Sequence, residues 1–385
     1  MESRGCNECR ADVAQCNACE KGLHCRATEV DGLLDQPMTM ALGTRDGAAA
    51  ILWAPLPRRS GGVCQALSLA AVNKDLSLAP AFELDRISGT TGVSLVGTAE
   101  GWLVAVGEAG RIRILVVDAQ SGERSGQVEI PIEGSPTFAA GGGAEPVLLW
   151  INAEGNSAPP HAAVLGVDGQ LLGGPTQLWS RARGGVFGPR PVTTTPNGFA
   201  TVAGSIGFNG AASFELVALG RRGDVLERMH VEDAPGKPWA VAYAGSEWTV
   251  WSVGDGKIWR TVATPRSAKH TLVGPLLRPR SARRDPAVEA AIAIGDHRFM
   301  LAVDRDGVRG PPRLVEVQRT RVAKPLLVND DPYGAQVELA VHYGKPLLAW
   351  AGPRFRRPNP GRPRGKRHGA LGTGHGQLIQ LAQPR

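Results

Sequence analysis

Five of the six cysteines in this chain of 385 residues fall within its first 25 residues. The five are Cys6, Cys9, Cys16, Cys19 and Cys25. Their spacing is C-x2-C-x6-C-x2-C-x5-C. Each C-x2-C turn directs two thiolates at one ion, which suits the tetrahedral coordination of Zn²⁺. The pattern predicts a structural zinc site formed by the first four cysteines, with His24 and Cys25 as alternative ligands.

Two other interpretations of these cysteines stay open. The spacer between the two pairs is shorter than the roughly 12 to 20 residues that usually separate zinc-binding pairs. Because the total number of cysteines is even, Cys64 could complete a set of disulfides in an oxidising compartment. The thiols could also be free. The N-terminal MESRGCNECR lacks the apolar stretch of about 7 to 15 residues that marks a secretory leader. The sequence therefore assigns no cellular location. An exported or cell-envelope location is the alternative if the natural start lies upstream.

A run of positive charge near the C-terminus is the second group of side chains that could do chemistry. Its seven cations equal the net charge of +7 of the whole chain, so the remainder is formally neutral. They are Arg354, Arg356, Arg357, Arg362, Arg364, Lys366 and Arg367. Interspersed prolines disfavour helix and central strand, so a disordered loop is expected over residues 352–376. Such a loop would attract a polyanion, whether phosphate, sulfate or an anionic membrane surface. A solvated insertion without a ligand is the alternative.

No short motif with a known reaction is present in the chain. The sequence lacks HExxH, GxSxG, the phosphate-binding GxxxxGK[ST] and an EF-hand loop. Its eight histidines, from His24 to His375, do not pair at helix or strand spacing. We therefore assign no catalytic or cofactor-binding residue, and no cofactor beyond the structural zinc.

The composition indicates a folded chain that is rich in turns. Gly 50 and Pro 29 make up about a fifth of the residues, while 42% are apolar and 21% are charged. No run approaches the roughly 18 to 20 consecutive apolar residues that a membrane-spanning helix needs. Long stretches with the 3.6-residue period of an amphipathic helix are also missing, which leaves strands as the main element.

A two-strand unit recurs seven times: an apolar run, a polar or glycine turn, and a second apolar run. The first copy is MTMALGTRDGAAAILWA, residues 38–54. Four copies have a tryptophan at about the same position: Trp53, Trp150, Trp251 and Trp350. From Trp53 to Trp350 the interval between units averages about 50 residues. Periods of roughly 40 to 50 residues with several short strands are typical of propeller blades.

Between successive units the chain has room for two further strands, which turn signals such as DAQSG and GRRGD separate. In the third unit these strands are predicted at HAAVLGVDG and TQLWS, the latter over residues 176–180. The pattern over roughly residues 28–382 resembles the seven-bladed β-propeller superfamily, although no single family within it. The resemblance implies an all-β fold of seven four-stranded antiparallel blades. The sixth blade is expected to be irregular, since only one clear strand follows Val303.

The last unit lacks a fourth strand, because the chain ends soon after GQLIQLA at residues 376–382. Closing a ring removes exposed strand edges, so CRATEV, residues 25–30, is expected to pair there and close the propeller. The predicted parts are a Cys-rich appendage over residues 1–25 and a propeller over residues 26–385, with the basic loop at 352–376.

The recurring tryptophans are expected to fill the space between sheets, because large rings bury the most apolar area. The tryptophans outside this shared position are candidates for stacking against carbohydrate. They are Trp102, Trp179, Trp239, Trp248 and Trp259.

Propellers host hydrolases, lyases and interaction platforms, so the fold alone does not select a function. Because no catalytic constellation is found, the sequence favours a monomeric, non-catalytic binding or interaction module whose ligand is an unknown protein or glycan. The alternative is a glycan-active hydrolase or lyase, with a site at the channel mouth built from side chains of different blades.

Overall fold

The computed structural model describes an all-β chain. The residues that it describes are 23–30, 38–55, 65–87, 90, 92–132, 134–139, 147–153, 160–178, 192–206, 212–244, 247–276, 287–295, 297–304, 313–319, 321–324, 326–327, 337–353 and 377–384. Within these ranges the 29 regular elements are all strands, and they hydrogen-bond into seven sheets. In the same ranges no helix is long and apolar enough to cross a membrane.

We number the sheets in chain order. Sheet 1 contains β2 (Met38–Arg45), β3 (Ala48–Pro55), β4 (Gln65–Ala71) and β5 (Phe82–Ile87). Sheet 2 contains β6 (Gly92–Gly97), β7 (Trp102–Glu108), β8 (Arg111–Val117) and β9 (Arg124–Ile130). Sheet 3 contains β10 (Gly134–Ala139), β11 (Val147–Ala153), β12 (His161–Leu165) and β13 (Leu171–Gln177). Sheet 4 contains β14 (Val192–Thr195), β15 (Gly198–Ile206), β16 (Ala212–Gly220) and β17 (Val225–Ala234).

The remaining sheets include one irregular case and one that uses the N-terminal strand. Sheet 5 contains β18 (Lys237–Ala244), β19 (Glu247–Gly254), β20 (Lys257–Thr264) and β21 (Ser267–Pro275). Sheet 6 contains β22 (Ala287–Gly295), β23 (Arg298–Asp304), β24 (Arg313–Gln318) and two short strands that both pair with β24, β25 (Arg321–Val322) and β26 (Leu326–Leu327). Sheet 7 contains β27 (Val337–His342), β28 (Lys345–Pro353), β29 (Gln377–Pro384) and β1 (Leu23–Val30).

The middle strands are buried on both faces, whereas the outer strands are exposed. In β7 and in β8, six of seven residues are buried. Consecutive side chains of a strand point to opposite faces, so an unbroken buried run means that neighbouring sheets cover both faces. In the outer strand β9 only Ile130 is buried. The outer strands therefore form the rim of the molecule.

Each sheet packs against the next, and sheet 7 packs against sheet 1. Buried residues of successive sheets that share an apolar cluster are Leu52 with Val104, Ile114 with Leu165, Val164 with Val217, Leu216 with Val250, Trp251 with Val315, Met300 with Trp350, and Trp350 with Ile51. The architecture is that of a β-propeller. The predicted four-stranded antiparallel sheets and the irregular sixth sheet are confirmed.

The prediction was wrong for the outer strand of sheet 3. TQLWS was expected there, but β13 spans Leu171–Gln177 and includes Gly173. Glycine is uncommon inside strands unless another backbone approaches closely. A Cβ on Gly173 would overlap the carbonyl oxygen of Arg222 in the β16–β17 turn. The glycine therefore serves a contact between two sheets, which the local sequence does not reveal.

Hydrogen bonds join the turns of neighbouring sheets at the end where β2 turns into β3. Arg45 Nε donates to Thr98 O at 2.9 Å, and Thr98 Oγ1 donates to Val167 O at 3.2 Å. Tyr343 N donates to Gly47 O at 2.6 Å, which links sheet 7 to sheet 1. We call this end the turn face. It carries the connections between first and second strands and between third and fourth strands.

β1 lies beside β29 as the outer strand of sheet 7. The two strands are antiparallel, with Thr28 opposite Ile379 and Cys25 opposite Ala382. Residues 25–30 thus lie next to the last strand of the chain, and β1 begins at Leu23, inside the segment expected to form the appendage.

Candidate functional site

Most of the residues that the sequence singles out lie outside the part of the chain that the structure describes. Four zinc-ligand candidates, Cys64 and the seven cations of the basic loop are among them. His24 and Cys25 belong to β1, where they face Gln383 and Ala382 in the backbone register. Among the described residues no group of three or more His, Cys, Asp or Glu side chains could hold a metal ion. The zinc and polyanion sites therefore stay predictions.

An open groove of about 590 Å³ lies at the rim, between sheets 1 and 2. One wall is formed by residues 82–85 of β5, and the other by residues 121–124 at the start of β9 and in the turn before it. Because consecutive strand residues point to opposite faces, a groove lined by four of them runs along the edge of the strand. β5 is the terminal strand of sheet 1, so this edge has no neighbouring strand within the sheet.

An aromatic ring provides the apolar part of the groove. Phe82 is 38% exposed and lines the groove. Gly122 lies against it with φ at +71°, and a Cβ there would overlap the ring. Glycine at this position satisfies both the left-handed backbone and the close approach of the ring.

The turn opposite β5 is held by the side chain of Asp118. Its Oδ1 accepts hydrogen bonds from the backbone N of Gln120 at 2.9 Å and of Ser121 at 2.7 Å. These bonds, with one from the Ser121 hydroxyl, lower the pKa of the Asp118 carboxyl. The backbone N of Gly122 also donates to Asp118 O at 3.0 Å. This wall of the groove is therefore fixed before any ligand arrives.

β5 is fastened to sheet 2 by the side chain of Arg113. Its guanidinium is largely buried and donates through Nη1 to Asp85 on β5 and through Nη2 to Glu108 at 2.7 Å. Arg124 approaches the same Asp85 oxygen at 3.4 Å. Arg111, on the same strand as Arg113, is more exposed and pairs with Glu108 at 3.1 Å. Asp85 thus lines the groove but is already neutralised by two arginines.

The burial of the tryptophan side chains agrees with the prediction at some positions and contradicts it at others. Trp251 and Trp350 are buried as expected. The carbohydrate-stacking prediction was wrong for Trp102, Trp239 and Trp248, because each is at least nine-tenths buried and has no ring face open to a sugar. Trp179 lies outside the described residues.

Two carboxylates that the sequence analysis did not single out lie on the first strands of sheets 6 and 7. Glu289 is exposed on β22, and Glu338 is half-buried on β27, which contacts β22. Both lie near the beginning of their strands, at the end of the propeller opposite the turn face. No local motif could have joined residues this far apart, because only the packing of successive sheets brings their strands together.

No family model matches the chain, and no curated protein matches it. Among solved structures, the Dos1 propeller is similar with a TM-score of 0.47 and 10% identity, over 92% of this chain and 93% of that one. Hsv2 from Kluyveromyces lactis gives a TM-score of 0.46 and 10% identity, over 84% of this chain and 95% of that one. Puromycin hydrolase gives a TM-score of 0.46 and 14% identity, over 83% of this chain and 50% of that one. These likenesses concern the fold and not the activity.

Proposed function

We propose that this chain is a non-catalytic interaction module, a closed seven-bladed β-propeller that binds an extended segment of a partner protein along β5. The cyclic packing of the sheets and the pairing of β1 with β29 support closure of the ring. The groove along the edge of β5 is the observation that carries the binding proposal.

The chemistry of the groove favours an added β-strand over a charged ligand. The outward side of a terminal strand carries backbone N–H and C=O groups that a peptide can pair with. The Phe82 ring offers an apolar contact beside them. Two of the three acidic residues that line the groove are paired with arginines, Glu83 with Arg86 at 2.8 Å and Asp85 with Arg113. Recognition therefore rests on backbone hydrogen bonds and apolar burial.

The test is to select peptides against the full chain from a displayed random library and to measure their affinity for variants. We expect Phe82→Ala to weaken binding by about tenfold or more, since full burial of such a ring contributes about 1.5 to 3 kcal/mol. Leu226→Ala is the matched control, because Leu226 is 54% exposed on the outer strand of sheet 4. Selected peptides that bind the wild type and Phe82→Ala equally well contradict the groove as the site.

A second candidate function rests on Glu289 and Glu338, the two carboxylates of neighbouring first strands. Paired carboxylates serve as acid and as base or nucleophile in glycoside hydrolysis. Under this alternative the chain is a glycan-active hydrolase or lyase with its site at the channel mouth. We expect Glu289→Gln and Glu338→Gln each to abolish cleavage of a glycan panel, while Glu316→Gln on β24 leaves it unchanged. If the wild type cleaves none of the panel, the alternative is rejected.

For residues 354–367 we propose contact with a polyanion, and for the N-terminal cysteines a structural zinc. Both proposals rest on the sequence. The described strands on either side of this segment are β28, which ends at Pro353, and β29, which begins at Gln377.

A further inference from the structure

Sheets 7 and 1 are joined by His342, the last residue of β27. Its side chain is buried, with 1% of the residue exposed. Nδ1 accepts a hydrogen bond from the backbone N–H of Ala49 on β3 at 3.0 Å. Nε2 lies 3.1 Å from the carbonyl oxygen of Asn73, in the loop after β4. An imidazole that accepts at Nδ1 carries its proton at Nε2, so one neutral tautomer satisfies both partners.

The backbone around His342 also takes part in hydrogen bonds with neighbouring elements. Gln383 Nε2 donates to His342 O at 3.1 Å. Val72 N donates to Ala49 O at 2.8 Å, so the same residue of β3 contacts both the imidazole and the loop after β4. Loss of the bond at Nδ1 would therefore affect the position of β3, β27 and this loop together.

The charged groups of the packed elements do not compensate a charge on the imidazole. From the loop after β4, the Lys74 ammonium lies 4.9 Å from the ring centroid of Tyr343, which itself packs on His342 at 4.5 Å. In the same loop, Asp75 accepts from Ser77 Oγ at 2.6 Å. From the β2–β3 turn, Asp46 is 82% exposed and lies 3.6 Å from Arg45. On β28, Lys345 lies opposite His342 in the register.

We propose that His342 is a pH-sensitive latch between sheets 7 and 1. Protonation at Nδ1 places an N–H donor opposite the N–H of Ala49, which breaks their hydrogen bond and leaves a charge buried. The junction then opens locally. This proposal is independent of what the groove along β5 binds.

The direction of the pH dependence follows from burial. Burial lowers the pKa of His342 from the ordinary value of 6.5, opposed by the hydrogen bond to Asn73. In the open junction the imidazole regains its ordinary pKa. Opening is therefore coupled to the uptake of a proton once the pH falls below about 6.5. The opening equilibrium rises by up to about tenfold per pH unit, until the lowered pKa of the closed state is reached.

Amide hydrogen exchange of the full chain, resolved at Ala49 and corrected for the intrinsic effect of pH, tests the latch. Between about pH 7.5 and about pH 5.5, we expect the protection of the Ala49 amide to fall by up to about tenfold. In His342→Gln the side chain keeps an acceptor and donors but does not titrate, so protection should not change with pH. His270→Gln is the matched control. Burial also lowers the pKa of His270, but its Nδ1 bonds Thr261 Oγ1 at 2.8 Å within sheet 5.

Protection at Ala49 that is independent of pH in the wild type overturns the proposal, as does a pH dependence that persists in His342→Gln. Protection at Ala49 that no longer changes with pH in His270→Gln also overturns the proposal. If His342→Gln does not fold, the test uses the wild type alone. The pH dependence of amide protection at Ala49 is then compared with that at Val164, which lies at the junction of sheets 3 and 4. Loss at Ala49 with stable protection at Val164 supports the latch, whereas equal loss at both positions indicates global unfolding and contradicts it.

Discussion

The guanidinium of Arg113 on β8 and the carboxylate of Asp85 on β5 form a hydrogen-bonded ion pair across the junction of sheets 1 and 2. Both side chains are largely buried, with 10% and 22% exposed. A charged group loses its hydration when it is buried, so the folded state is destabilised if the oppositely charged partner is removed. The pair therefore couples the edge of β5, where the groove lies, to the packing of the next sheet.

Asp85→Ala is expected to lower the free energy of unfolding by about 3 kcal/mol, at the lower end of the range for breaking a buried pair. The lower end applies because Arg113 keeps its bond to Glu108 at 2.7 Å. Urea denaturation measures the change. Arg111→Ala is the control on β8, the strand of Arg113, and it should change the free energy of unfolding much less because Arg111 is exposed. Equal losses in both variants would show that the buried pair of Arg113 and Asp85 contributes no more than the exposed pair of Arg111 and Glu108.

Gly173→Ala is expected to destabilise the junction of sheets 3 and 4 by about 2 kcal/mol or more, because the added methyl group overlaps a backbone oxygen that cannot rotate away. Gly126→Ala on β9 is the matched control. The nearest atom to a Cβ there is Val116 Cγ2 at 3.5 Å, an ordinary contact. Its effect should stay within about 0.5 kcal/mol in the same urea titration. A small effect at Gly173 would mean that the Arg222 turn moves without cost.

The sheets could be predicted from the sequence because their signals are local. Each pair of apolar runs and the turn between them are close in sequence, as in β2 and β3, which span Met38 to Pro55, and the pattern recurs in seven copies. The outer strand of sheet 3 was placed wrongly because Gly173 is explained by a turn of another sheet. The groove could not be found, since Phe82 and Gly122 meet only when two sheets pack. The same holds for Arg113 with Asp85.

Replacing the seven cations of residues 354–367 by glutamine is expected to lower the salt concentration at which the chain elutes from heparin and to weaken the salt dependence of binding. Each lost phosphate or sulfate contact removes released counterions from the equilibrium. Glutamine keeps the length of the segment. The control replaces Arg221 and Arg222, two exposed cations of the sheet 4 turn, and should change retention little. Unchanged elution of the sevenfold variant would leave the segment as a solvated insertion.

Thiol titration of the native full chain separates the three interpretations of the N-terminal cysteines. If Cys6, Cys9, Cys16 and Cys19 hold zinc, their thiols react slowly until a chelator is added, and about one Zn²⁺ per chain is released. Cys16→Ser should abolish the bound metal, whereas Cys64→Ser, outside the cluster, should retain it. Disulfides leave the thiols unreactive with or without chelator, and free thiols react at once without it. Either of these two outcomes contradicts the zinc site. Since β1 begins at Leu23, shortly after Cys19, a metal bound there would hold the chain entering the strand that pairs with β29.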